Sequence, residues 1–134
     1  MNFGKQGYMH STAFGGLLAL GVVVAGGGAA LAETPDGAEL FRKACAVCHA
    51  AEKGAGPRQG PNLFGVYGRK AGVADGFTYS AGFRAGAKDI TWDDATLDRW
   101  LTDPQAMMPD VMMFYKQPDP DRRAAVIAYL KTLK

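Results

Sequence analysis

Between Gly37 and the C-terminus, apolar residues recur at helical spacing in three stretches and are scattered without period in between. In the first, Leu40, Phe41 and Ala44 make one face of a short helix from Gly37 to Val47, with Asp36 placed to cap it. The second predicts a helix from Trp92 to Thr102. Leu97, Trp100 and Leu101 point inward, and Pro104 stands just past the end. Thr91-Trp-Asp-Asp94 reads as its capping box, with Asp in place of the usual Glu. In the third, Val126, Tyr129, Leu130 and Leu133 repeat at i, i+3, i+4, i+7 on a helix capped by Asp119 with Pro120 at its first position. No segment alternates as a strand does, so the fold class is all-α.

Two long stretches lack a period. Ala50 to Asp89 is rich in glycine, carries Pro57 and Pro61, and reads as loop. Gln105 to Pro118 is a second loop, dense in methionine. Forty structureless residues inside a small domain would ordinarily count against the assignment.

The N-terminal segment has a different pattern. Lys5 is the only charge before Glu33, and Ala13 to Ala32 is an uncharged apolar run ending in Ala30-Leu31-Ala32. This predicts an export signal over residues 1–32, cleaved to leave a domain of residues 33–134 in the periplasm. An uncleaved membrane anchor is the alternative, since the run is long enough to span a bilayer, although its glycines weaken it as a helix. All 13 acidic residues and 14 of the 15 basic ones lie after residue 32, a formal charge of +1. The bases form no stripe or arm, which excludes a nucleic-acid surface.

Cys45-Ala-Val-Cys48-His49 supplies the chemistry. Two thiols about one helical turn apart can both reach one porphyrin edge as thioethers, and the histidine that follows can offer a ring nitrogen to the iron. Three other readings compete. A thioredoxin-like dithiol would sit in a strand-helix-strand rhythm that is missing here. Structural zinc needs four ligands, and the chain has two Cys and two His, with His10 in the leader. A disulfide three residues apart would close a loop too small to stabilise much. A large buried prosthetic group also removes the objection to the long loops, which can wrap it and use it as core. The haem-free chain should then be poorly folded, because its own hydrophobes make a thin core.

Beyond the haem motif, the chain carries Gly37-x3-Phe41, Gly60-Pro-Asn-Leu63, Gly65-Val-Tyr-Gly-Arg-Lys70, Gly76-Phe-Thr-Tyr79, Ile90-Thr-Trp92 and Ile127-Ala-Tyr-Leu-Lys131. In this order the blocks resemble the class I c-type cytochromes, both mitochondrial cytochrome c and its photosynthetic and respiratory bacterial counterparts. The resemblance covers residues 36–134. It implies three to five short helices and long loops around one covalent haem c, carried by Cys45 and Cys48, with axial ligands His49 and a methionine. Four methionines compete, Met107, Met108, Met112 and Met113; counting along the family's Pro-x3-Met segment from Pro109 lands on Met113, with Met112 as runner-up. The backbone carbonyl of Pro61 should hold the second nitrogen of His49, and Arg69, Tyr79 and Trp92 should reach the inner propionate. Gly37 and Phe41 should pack against Tyr129 where the first and last helices cross. Three departures stand out: Trp100 replaces the usual Tyr near the methionine sulfur, Val111 replaces a Thr, and the loop at Gly82-Phe83 is two residues longer.

The resemblance further implies a monomeric electron carrier rather than an enzyme. Its partners would be a membrane quinol-oxidising complex of the cytochrome bc type and a terminal oxidase or photosynthetic reaction centre. A dedicated acceptor for a periplasmic dehydrogenase and a peroxidase-like or ligand-binding haem protein are the alternatives. Family members ring the exposed haem edge with lysines. Here the matching positions are Glu39, Ala44, Val47, Gln105, Ala106, Met112 and Asp119, with only Arg58 and Lys53 basic. An apolar docking face of Ala44, Val47, Met108 and Met112 is therefore expected, unless bases such as Lys116 come round to it.

Overall fold

The Asp36 carboxylate accepts from the amides of Ala38 at 2.9 Å and Glu39 at 3.3 Å, and so starts the first helix where the sequence places it. The computed structural model describes residues 34–134. The expectations of an export signal and of a domain boundary at residue 33 fall outside them. Helix α1, Gly37–Leu40, runs straight into a π-helical turn, Phe41–Cys45. The regular helix expected to Val47 therefore widens one turn before the first thiol. Wide turns of this kind are frequent at functional sites.

Helix α2, Ala81–Gly86, lies inside the stretch expected to be loop. Two glycines in six residues hide it from propensity. It forms because Ser80 caps it, accepting from the Phe83 amide at 3.2 Å, and because Phe83 is buried. Helix α3, Asp94–Thr102, buries Leu97, Trp100 and Leu101 as expected. Its cap is Asp93, not Thr91. Asp93 accepts from the Thr96 amide at 2.8 Å, and the Thr96 hydroxyl oxygen accepts from the Asp93 amide at 2.8 Å. The helix cannot begin at Trp92 because that residue's backbone is already used: its amide donates to Arg69 at 3.0 Å and its carbonyl accepts from Gly68 at 2.7 Å.

A second short helix, α4 (Pro104–Met107), occupies the start of the expected methionine loop, capped by Asp103. Helix α5 is Pro120–Thr132, with Asp119 accepting from Asp121 at 2.9 Å and Arg122 at 3.3 Å. Its buried side chains are Val126, Ile127 and Leu130. Tyr129 and Leu133 are half-buried, and Ile127 was not in the expected stripe. No strand occurs among the described residues, where Lys70 and Thr91 form an isolated antiparallel bridge.

Three contacts set the frame of the site. Helices α1 and α5 meet at Gly37, where a Cβ would lie 2.0 Å from the carbonyl oxygen of Ala125, and the Phe41 and Tyr129 rings pack at 5.2 Å. Helices α3 and α5 are joined by Arg123 Nε to Asp98 Oδ1 at 2.6 Å. Tyr79, Phe83, Trp92 and Trp100 then form a continuous aromatic wall, with Tyr79 and Phe83 stacked at 4.6 Å and the Trp92 and Trp100 rings tilted at 5.6 Å. Among the described residues no helix is long and apolar enough to cross a membrane.

Candidate haem site

A cavity of about 710 Å³ opens between these elements. Cys45, Cys48 and His49 line it on the side of the π-helical turn, and Met112, Met113 and Phe114 line it from the methionine loop. Phe41, Leu97, Val126 and Leu130 bring helices α1, α3 and α5 to its wall.

The cysteine segment is held by a second strand of chain, residues 58–63, laid along it. Gly60 donates to the Cys48 carbonyl at 2.8 Å, Leu63 donates to that of Ala50 at 2.8 Å, and Arg58 Nη1 donates to that of Ala46 at 2.6 Å. This brings Pro61 O to 2.8 Å from His49 Nδ1, the contact expected from the family resemblance. A carbonyl only accepts, so Nδ1 carries the proton and Nε2 keeps its lone pair for another partner. Burial lowers the His49 pKa below the ordinary histidine value, against a smaller opposing effect of the Pro61 bond. The ring is therefore neutral at physiological pH, the form that binds metal. Gly60, which sequence reasoning did not single out for this role, lies flat against the ring; a Cβ there would be 2.2 Å from His49 Cε1.

Neither cysteine is in a disulfide. Burial, and secondarily the neighbouring Cys48, pushes the Cys45 thiol up to about 11. A redox dithiol needs the opposite, a thiol lowered toward neutrality. Cys48 Sγ donates to Gln59 Oε1 at 3.0 Å. Among the described residues no three His, Cys, Asp or Glu side chains converge, which leaves no zinc ligand set there.

The methionines separate clearly. Met113 is half-buried on the cavity wall, and Met112 lies at the rim, 77% exposed. Met108 is fully buried and lies off the cavity. The expectation that Met108 forms part of an exposed docking face is thus wrong: its side chain packs under α2 instead. Val47 and Met112 are exposed as expected, Ala44 is half-buried, and Phe114, 71% exposed at the cavity rim, was missed. Lys116 does not stand free, since its Nζ lies 2.6 Å from Asp103 Oδ2.

Arg69, Tyr79, Trp92 and Trp100 all reach the cavity. Two carbonyls orient the Arg69 guanidinium: Nη1 donates to Phe64 and Nη2 to Asn62, each at 3.0 Å. The Tyr79 hydroxyl oxygen accepts from the Ala74 amide at 3.3 Å, which leaves its own proton to give. Burial raises the Tyr79 pKa, so the phenol stays protonated. Val111 is buried on the cavity wall, where its side chain offers no hydrogen bond. A cationic donor, a phenol and an indole on one side of an apolar cavity fit a tetrapyrrole whose carboxylates turn inward. The thiols and neutral imidazole fit its edge and its metal.

A small helical domain wrapped around such a cavity, with Cys-x-x-Cys-His at its mouth, defines a covalent haem protein. The sequence model of cytochrome c matches residues 35–134. Cytochrome c-550 of Novispirillum itersonii is 46% identical over 101 residues, covering 69% of this chain and 91% of the relative. Cytochrome c of Chlamydomonas reinhardtii is 46% identical over 96 residues, 71% of this chain and 84% of the relative, and that of Ginkgo biloba 41% identical over 96 residues, 71% and 83%. The chain belongs to the cytochrome c family, electron carriers with covalently bound haem c.

Proposed function

We propose that this protein carries single electrons in the periplasm, from a membrane quinol-oxidising complex of the cytochrome bc type to a terminal oxidase or photosynthetic reaction centre. The observation that carries the reading is that one cavity presents a neutral imidazole and a half-buried thioether together. Held by His49 and Met113 together, a haem iron would have no position left for a substrate, which favours electron transfer over ligand chemistry.

Bound there, haem supplies a ferric/ferrous couple that a thioether ligand biases toward the ferrous state. The chain does the rest. Cys45 and Cys48 would form the thioethers that fix the haem edge. Pro61 holds the His49 tautomer. Arg69, Tyr79 and Trp92 would donate to the inner propionate, and Trp100 shares the cavity wall with Met113. The reading of residues 1–32 as an export signal, from the uncharged apolar run that ends in Ala30-Leu31-Ala32, supports the periplasmic location.

Mass spectrometry and visible spectroscopy of the natively expressed protein test the proposal together. The expected mass is that of residues 33–134 plus one haem, with a ferric charge-transfer band typical of thioether ligation that disappears in Met113→Ala. A haem bound without that band, which then binds carbon monoxide or peroxide readily, would replace the carrier with a ligand-binding cytochrome. Turnover with isolated bc-type complex and oxidase, set against a periplasmic dehydrogenase, identifies the partners.

A further inference from the structure

Gly82 and Gly86 stand one helical turn apart on α2 and share one face. That face rests on the chain leading to Met113. A Cβ at Gly82 would lie 2.5 Å from the carbonyl oxygen of Pro109 and 2.7 Å from that of Asp110. A Cβ at Gly86 would lie 2.8 Å from Cγ of Met108. Helix and loop therefore touch backbone to backbone, with the Met108 side chain enclosed beneath the end of the helix. Between the two glycines Phe83 turns the other way, stacked on Tyr79 at the cavity wall.

The rest of the segment is gripped as well. Ser80 Oγ, which caps α2, also donates to the Asp110 carbonyl at 3.4 Å. Asp110 has φ of 61°, left-handed backbone that is uncommon outside glycine and that Asp tolerates better than most. Gln105 Nε2 donates to the carbonyls of Val111 at 2.6 Å and Met113 at 3.2 Å. From 108 to 113, five of six residues are held by a named contact, and three of those five are held by α2 or its cap.

We propose that α2 is a clamp on the ligand loop, in which Met108, pinned against Gly86, and the Gly82 contact are positioning elements that hold the Met113 thioether over the iron. The methionines then divide the work: Met108 anchors, and Met113 presents sulfur. The proposal rests on the reading of Met113 as the axial ligand. It gives the lengthened loop at Gly82-Phe83 a purpose, because a short helix with a bare face can approach the loop where an ordinary side chain would hold it off.

The test uses the haem-loaded full chain with added imidazole, which binds ferric iron only when the thioether has swung away. Apparent affinity scales with the fraction of open loop, so Gly82→Ala and Met108→Ala should each tighten imidazole binding about tenfold, with covalent haem and helix content unchanged. Gly86→Ala should act likewise. Combined with Met108→Ala it should add nothing, because the new methyl fills the space the thioether leaves. Ala85→Ser, on the exposed side of α2, should bind imidazole like the parent. If all three clamp variants fold, carry haem and bind imidazole within about twofold of the parent, α2 is a spacer and the clamp is refuted. If instead Met113→Ala leaves the ferric spectrum and imidazole affinity unchanged, the ligand assignment fails.

Discussion

His49 can serve an iron only if its ring is held in one tautomer and one plane, and two neighbours with no reactive group enforce both. The Pro61 carbonyl accepts from His49 Nδ1–H at 2.8 Å, and Gly60 lets the chain lie against the ring. Gly60→Ala would force a methyl to within 2.2 Å of Cε1, with the backbone on both sides already bonded to residues 48 and 50. The ring must tilt, and the Pro61 bond must lengthen. Overpacking of this kind costs about 1–3 kcal/mol. Guanidinium unfolding of the haem-loaded variant should show that loss, together with an altered ferric spectrum from the displaced imidazole. An unchanged midpoint and spectrum would mean that the 58–63 segment yields and does not set the ring. Reactivity at this scale was legible in the sequence, because two thiols and a histidine at fixed spacing announce their chemistry. Gly60 was not. A glycine needed for close approach looks like any other until the ring beside it is placed.

Helices α1 and α5 cross where Gly37 faces the Ala125 carbonyl, so Gly37→Ala drives a methyl to 2.0 Å from backbone oxygen with no side chain able to move aside. The helices must separate, loosening the Phe41–Tyr129 contact as well. A loss of about 2 kcal/mol would lower the melting temperature of a domain this size by roughly 10 °C. Calorimetry of the holoprotein checks it, and a shift within about 2 °C would place the crossing elsewhere. At the other side of the cavity, Asp103 ties the methionine loop at both ends: it caps α4 through Gln105 at 3.1 Å and Ala106 at 3.2 Å, and it pairs with Lys116 beyond Met113 at 2.6 Å. The Lys116 bond holds the Asp103 pKa below the usual 3.8. A carboxyl with a depressed folded pKa stabilises above its unfolded value and loses that contribution as pH falls through the folded one. Acid titration below about pH 4 should therefore loosen the loop and weaken the thioether band. Asp103→Asn should show a weaker band already at neutral pH and a smaller acid step. Helices α1 and α5 were legible in the sequence because their caps, Asp36 and Asp119-Pro120, stand directly before apolar residues at helical spacing. Helices α2 and α4 were not, being too short for a period. The start of α3 was misplaced because a distant segment, residues 68–69, had claimed the backbone of Trp92. Local signals cannot register a long-range competitor.

The domain keeps much of its apolar surface for a group it does not encode. Aromatic rings on one side and aliphatic side chains on the other border a space of about 710 Å³, too large to close by small side-chain shifts. Cys45→Ser with Cys48→Ser should thus yield a chain with little helix by circular dichroism even when haem is supplied, while either serine alone retains part of the fold through one thioether. The all-α class was legible in the sequence from helical periods without alternation, and the haem from five adjacent residues. The character of the molecular surface was only partly so, because burial decides which apolar residues remain outside: Met108 went in and Phe114 stayed out. That exchange shapes the last expectation. The exposed apolar side chains at the cavity are Met112 and Phe114, with Val47 exposed between the two cysteines. Of the bases that might counter them, Lys116 is paired with Asp103, which leaves Arg58, bonded to the neutral Ala46 carbonyl, and Lys53 as the charges nearby. Of the cavity-lining residues only Arg69 is charged, and it is half-buried. A partner meeting this rim finds apolar contact and little field, so encounter gains little from steering. Between about 20 and 200 mM salt the screening length falls severalfold, yet partner turnover should change by less than about threefold. Phe114→Ser should raise the KM for the partner, and Lys53→Glu should leave it near the parent value. A steep loss of turnover with salt, or a larger effect from Lys53→Glu than from Phe114→Ser, would show that charge and not apolar contact brings the partner to the haem edge.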